Sequence, residues 1–279
     1  MGTLAYSLRD FLRLSAYLLS HPQLRILGLN ALEHQNSGYS APPIFEAVIE
    51  LRLDPHLSDS QIRKLAKMMA REYPNVRDET EVEFKIDLIG EEPKPSVVSK
   101  SPSLRLSSDN EVNSVTVKKD RIFLSRLAPY CGWGEFFDRF SFVLKSISKE
   151  YKSRNVKRLG LRYRNRIDIP IDEAVPVLHY EDYLSAHITL PEVLDPLGFY
   201  TWRIDKPFEE LGLRAMVASE TVPPEIPKTG AFLLDIDVYF SPNISFGKVD
   251  FSERLLEMRN LKNRIFESVI TDKARANFH

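Results

Sequence analysis

Arg162, Arg164 and Arg166 recur at every second position within the segment 158–170, Arg-Leu-Gly-Leu-Arg-Tyr-Arg-Asn-Arg-Ile-Asp-Ile-Pro. Successive side chains of a β-strand point to opposite faces. This spacing therefore puts Arg158, Arg162, Arg164, Arg166 and Asp168 on one face, and Leu159, Leu161, Tyr163, Ile167 and Ile169 on the other. A row of guanidinium forks can grip phosphate or carboxylate in pairs of hydrogen bonds. Arg203 holds the polar parity of a further alternating segment, 199–205. The anion- or partner-binding candidates are thus Arg162, Arg164, Arg166 and Arg203. A second outcome is equally concrete. Glu46, Glu50, Asp235 and Asp237 occupy the polar parity of their own segments. If those strands neighbour the arginine strand, the carboxylates neutralise the row and the face becomes a mixed-charge surface.

Asp235 and Asp237 flank a single residue, so on a strand both carboxylates point the same way. With Glu46 they could bind a divalent metal and hydrolyse a phosphodiester, provided the fold brings the strands together. His179 and His187 match no zinc-ligand spacing. Cys131 is the only cysteine, so it can complete neither a multi-cysteine metal site nor an intrachain disulfide. The chain has no Gly-x-Gly-x-x-Gly, no Walker-type loop and no Gly-x-Ser-x-Gly elbow. No catalytic residue is nominated, and no cofactor is expected.

These side chains need elements to position them. Ile44–Leu53 alternates as a strand, and Ser58 with Gln61 forms a capping box that opens a helix stopped by Pro74. A strand is expected over 81–89. Residues 90–108 lose periodicity in Pro, Ser, Lys and Glu, and read as a long mobile loop. A hairpin follows over 112–117 and 121–127. Trp133, Phe136, Phe137, Phe140, Val143, Leu144 and Ile147 recur at helical spacing and predict the most strongly amphipathic helix of the chain. After the arginine strand come an irregular piece over 172–196, strands at 199–205, 211–220 and 231–240, and a last helix capped by Asp250. The pattern predicts an α+β fold made of a duplicated strand-helix-three strands-helix unit. Its sheet or sheets are antiparallel, with helices on one face. The expected divisions are an N-terminal helical extension and linker over 1–41, a first half over 42–152 and a second half over 153–279.

Composition bounds the function classes. In a chain of 279 residues, 43% apolar residues suffice for a real core. Lys and Arg (38) nearly balance Asp and Glu (39), giving a net charge of −1, which argues against a nucleic-acid footprint covering the whole surface. Arg9, Asp10 and Arg13 interrupt the apolar run of residues 4–19, so that segment reads as an amphipathic helix and not as a signal peptide. No window reaches membrane-span length. The single cysteine fits a reducing cytoplasm.

Four segments carry a family resemblance: Pro42-Pro43-Ile44-Phe45-Glu46-Ala47, Gly160-Leu161-Arg162-Tyr163-Arg164-Asn165-Arg166-Ile167, Leu234-Asp235-Ile236-Asp237 and Ile265-Phe266-Glu267-Ser268-Val269-Ile270-Thr271. Together they resemble a sporadically distributed bacterial family of about this length that has no established biochemical role. The resemblance implies a cytosolic bacterial unit over about 42–278, without catalytic residues. It also implies an accessory role of the defence or toxin-control kind. The leading expectation is a non-enzymatic binding or regulatory protein that engages a protein partner through its polar sheet face or the 90–108 segment. The first alternative is nucleic-acid binding or processing through the arginine face. The second is a metal-dependent phosphodiester hydrolase using Asp235, Asp237 and Glu46.

Overall fold

The computed structural model describes residues 39–87, 94–171, 179–189, 191, 193 and 199–279. The expected helix over 4–20 lies outside the described residues. Two compact units are present, 43–276 and a small one containing 1–42 and 277–279. In the described part of the small unit, the Ala41 N–H donates to the Phe278 carbonyl at 3.0 Å, and the Tyr39 ring lies edge-on to Phe278.

The large unit follows the order β1 (Ile44–Asp54), α1 (Asp59–Met69), β2 (Asn75–Asp87), β3 (Lys94–Ser107), β4 (Asn113–Val117), β5 (Arg121–Leu127), α2 (Trp133–Tyr151), β6 (Asn155–Pro170), β7 (Thr201–Phe208), β8 (Leu213–Val222), β9 (Thr229–Phe240), β10 (Ile244–Ser245), α3 (Phe251–Val269) and α4 (Asp272–Arg275). All these strands join one antiparallel sheet in the order β2-β3-β4-β5-β1-β6-β9-β8-β7, with the short β10 also on β6. The α+β class is therefore as the alternation predicted. Outward from the central β1–β6 pair the order repeats: β1-β5-β4-β3 on one side, β6-β9-β8-β7 on the other. Each half is a first strand, then a meander whose last strand returns to pair with the first.

The first half differs from expectation in one place. Residues 94–107 form β3, paired with β2 from Asn75↔Ser107 to Asp87↔Lys94, and not a mobile loop. The first half therefore has four strands after its helix where three were expected. The Ser, Lys and Pro content hid the strand. Pro95 and Pro102 are tolerated because β4 pairs only with Leu104–Ser107, so among the described strands the rest of β3 has one unpaired edge where a missing N–H costs nothing. Residues 88–93 lie outside the described residues.

The apolar parities build the core. Ala47, Ile49 and Leu51 of β1, Leu159, Leu161 and Tyr163 of β6, and Phe232, Leu234, Ile236 and Val238 of β9 are all at most 2% exposed. Phe136, Phe140, Val143 and Ile147 of α2 and Leu255, Met258 and Leu261 of α3 are buried with them. Burying each such side chain contributes about 1.5–3 kcal/mol, which is why the helices cover this face. The helices begin where their caps allow. Ser58 Oγ accepts from the Gln61 N–H at 3.3 Å while Gln61 Oε1 accepts from the Ser58 N–H at 3.0 Å, and Asp250 Oδ1 accepts from the Glu253 N–H at 3.0 Å. The polar parities of the same strands make the opposite face.

Candidate functional site

The polar face is densest where β1, β6 and β9 lie side by side. Glu46 stands opposite Arg164, which stands opposite Asp235; Val48, Arg162 and Asp237 form the next row. The arginine row and all four carboxylates singled out in the sequence are thus brought together.

Each guanidinium is engaged. Arg158 bonds Glu50, and its other arm donates to Asp237 at 2.7 Å. Arg162 forks onto Asp235, with Nε 2.8 Å from Oδ1 and Nη2 on Oδ2. Arg164 donates to Glu46 at 3.1 Å. Arg166 holds Asp168 at 3.2 Å, Glu225 at 3.1 Å and the Pro223 carbonyl at 2.9 Å. Glu50 also receives Arg52 and Arg121. Aromatic rings floor the network: Arg158 lies over Tyr239 at 4.7 Å, and Arg164 over Phe45 at 4.8 Å. Strict alternation would put Phe45 on the parity of Ala47, Ile49 and Leu51. A register shift between Ile44 and Glu46 places it, half-buried, under the arginine instead.

Burial tunes the charges. Asp237 is held above the ordinary carboxylate range by desolvation, against the pull of Arg158 and Arg162. Its Oδ1 is buried without a hydrogen bond. Arg162 is held above its ordinary value mainly by its bonds to Asp235.

The metal alternative meets a geometric obstacle. Glu46 and Asp235 sit on strands either side of β6, roughly 10 Å apart at Cα from the spacing of strands, with Arg164 between them. Each of the three carboxylates is taken by a guanidinium. Among the described residues, no group of three or more His, Cys, Asp or Glu is placed to hold a metal ion.

Arg203 does not join the row. It shares the face but stands on β7, with β8 and β9 between it and β6. His179 pairs with Glu181 at 3.0 Å, and His187 sits against the Leu184 carbonyl. Cys131 is half-buried, and desolvation pushes its thiol up.

The sequence reading missed a second titratable cluster on the helix side. Lys262 of α3 is 9% exposed, with its amine 4.1 Å from the centre of the Tyr163 ring. The Tyr163 hydroxyl hydrogen-bonds that of Tyr130 at 2.7 Å. Burial, reinforced by the Arg259 charge, pushes Lys262 down to about 7. Burial also raises Tyr130 to about 12 and moves Tyr163 well above its usual range. The available signal was position: Lys262 lies four residues after Met258 and one after Leu261, inside the buried stripe of α3.

Among the described residues, no helix is long and apolar enough to cross a membrane. Neither a family model nor a curated protein matches the chain.

Proposed function

We propose that this is a non-catalytic cytoplasmic binding or regulatory protein whose charge-paired sheet face engages a protein partner. One observation carries the reading. The central arginines are already oriented by carboxylates and by the Tyr239 and Phe45 rings, on the face opposite the described helices. Arginine and tyrosine are enriched at protein interfaces. Arginines fixed in advance lose little further side-chain freedom on association. The motif resemblance to an accessory bacterial family supports a setting in defence or toxin control.

Binding nucleic acid through Arg162, Arg164 and Arg166 would require phosphates to displace Asp235, Glu46 and Asp168 in turn. Every phosphate bound in that way breaks an ion pair that the folded chain has already made, so the protein-partner reading is favoured.

The test is affinity capture from native host cells with wild type, Arg164→Glu and the double variant Arg164→Glu with Glu46→Arg. A partner held by wild type and lost by the single variant, at unchanged unfolding midpoint, is expected. Equal capture by all three removes the sheet face from the function. Retention of DNA or RNA that falls steeply with salt would favour the nucleic-acid reading.

A further inference from the structure

β7 is an edge strand whose sequence is complementary to itself. It ends the sheet, pairing only with β8 among the described strands. The Thr221 N–H donates to the Tyr200 carbonyl at 3.0 Å, which fixes the parity of the ladder. Tyr200, Trp202, Ile204, Lys206 and Phe208 turn their backbone groups toward β8. Thr201, Arg203, Asp205 and Pro207 turn theirs outward.

We propose that this free edge pairs, antiparallel, with the same strand of a second copy of the chain. The two-fold axis would pass beside Ile204. Arg203 then faces Asp205 of the second copy and Asp205 faces its Arg203, and these outward-facing residues exchange backbone hydrogen bonds in both directions. On the helix side Ile204 meets its own counterpart, Trp202 meets Lys206, and Tyr200 meets Phe208.

Charge selects this register. Sliding the strands to centre on Arg203 sets arginine against arginine, and centring on Asp205 sets aspartate against aspartate. Like charges directly opposite destabilise a sheet. Pro207 has no N–H; in the chosen register it lies opposite Thr201, so its carbonyl accepts from the Thr201 N–H while the return bond of that terminal pair is missing. The charged side chains that normally blunt an edge here disfavour the two neighbouring registers and leave opposite charges facing in this one.

Of the two charges only Arg203 is unengaged among the described residues; Asp205 is already bonded to Arg214 of β8 and accepts from the Tyr239 hydroxyl at 3.4 Å, so its carboxylate would be shared between Arg214 and the Arg203 of the second copy. Arg203 forms no hydrogen bond or ion pair among the described residues. It is exposed, as are Asp205 and Lys206. Ile204 is 50% exposed, unusual for a β-branched residue on a parity that is buried elsewhere in the sheet, and Phe199 beside the strand is 87% exposed. Pairing would cover the Ile204 side chain and satisfy the open backbone groups.

The experiment is sedimentation velocity of the full chain over a range of concentrations, with wild type, Arg203→Asp, Asp205→Arg and the double exchange. Wild type is expected to show a concentration-dependent dimer. Each single variant sets two like-charge oppositions in the dimer and is expected to weaken association roughly 10–100-fold. The double exchange restores opposite charges and with them the dimer. Circular dichroism on each variant confirms that the fold persists. A monomeric wild type, single variants that associate as well as wild type, or a folded double exchange that stays monomeric would each overturn the proposal. None of these outcomes bears on the polar face at β1, β6 and β9.

Discussion

Arg162 stands opposite Asp237 in the β6–β9 ladder, yet it bonds Asp235, one pair further along. The displacement propagates. Asp237 is held by Arg158, and Arg164, which faces Asp235, turns across to Glu46 on β1. Across β6 and β9 the charges are matched diagonally while Arg164 meets Glu46 directly, so no one pair is independent of its neighbours.

Arg158 is the link whose loss would be felt most. It is largely buried between Glu50 and Asp237, which are largely buried too. Arg158→Met keeps the stem but strands Asp237, while Glu50 keeps Arg52 and Arg121, and removing one partner of a buried pair costs about 3 kcal/mol or more. Urea unfolding at pH 7 measures this; a loss below about 1 kcal/mol would show that the Asp237 carboxylate finds solvent.

Gly160 tests the path by which Arg158 gets there. A Cβ at position 160 would stand 2.9 Å from Arg158 Cζ, because the arginine lies across the glycine to reach β9. Gly160→Ala is expected to push the guanidinium off Asp237 and destabilise the fold by about 1–3 kcal/mol. Combined with Arg158→Met it should cost little more, since both changes break one contact. Full additivity would show that the two residues act separately.

Lys262 sets a pH dependence of definite sign. Its amine is pushed from 10.5 down to about 7 in the folded chain, by burial first and Arg259 second, with Glu267 opposing. Between those values the unfolded chain binds more protons there, so this residue makes stability rise with pH from about 7 upward. Below 7 its full penalty applies, about 5 kcal/mol by the usual conversion, offset in part by the contact with the Tyr163 ring. Lys262→Met should stabilise the protein at pH 7 and flatten the slope between pH 7 and 9.5. An unchanged slope in guanidinium unfolding would refute it.

Leu106 reports on β3. It is fully buried inside a segment whose composition resembles a linker. Leu106→Ala should cost about 2–5 kcal/mol, as for any core leucine. A cost near zero would mean that the strand does not hold in solution.

Much of this was legible because period-2 alternation is dictated by burial on one face. β1, β6 and β9 show it cleanly, and their partners could be guessed from matching charges. β3 was illegible because most of its length has no neighbour on one edge among the described strands, where N–H groups are not demanded and proline is tolerated. Which of the four carboxylates Arg158 takes was hidden for another reason. Glu50 lies 108 positions away and Asp237 lies 79 positions away, so only the strand order reveals the contacts. Lys262 was overlooked because a lysine inside an apolar stripe is usually read as a surface residue, although its spacing already placed it within.

The mirrored strand order bears on how the chain folds. Each meander can zip from local turns, but the ladder that joins them, β1 on β6, unites residues such as Glu46 and Arg164 that are 118 positions apart. Such non-local closure is slow compared with hairpin formation. Until it occurs, Arg164 of β6 and Glu46 of β1 each lack the partner that the other half supplies, while Arg162 and Asp235 can already pair within the second half. The ion pairs of the polar face are therefore also the complementary labels by which the two halves find their alignment.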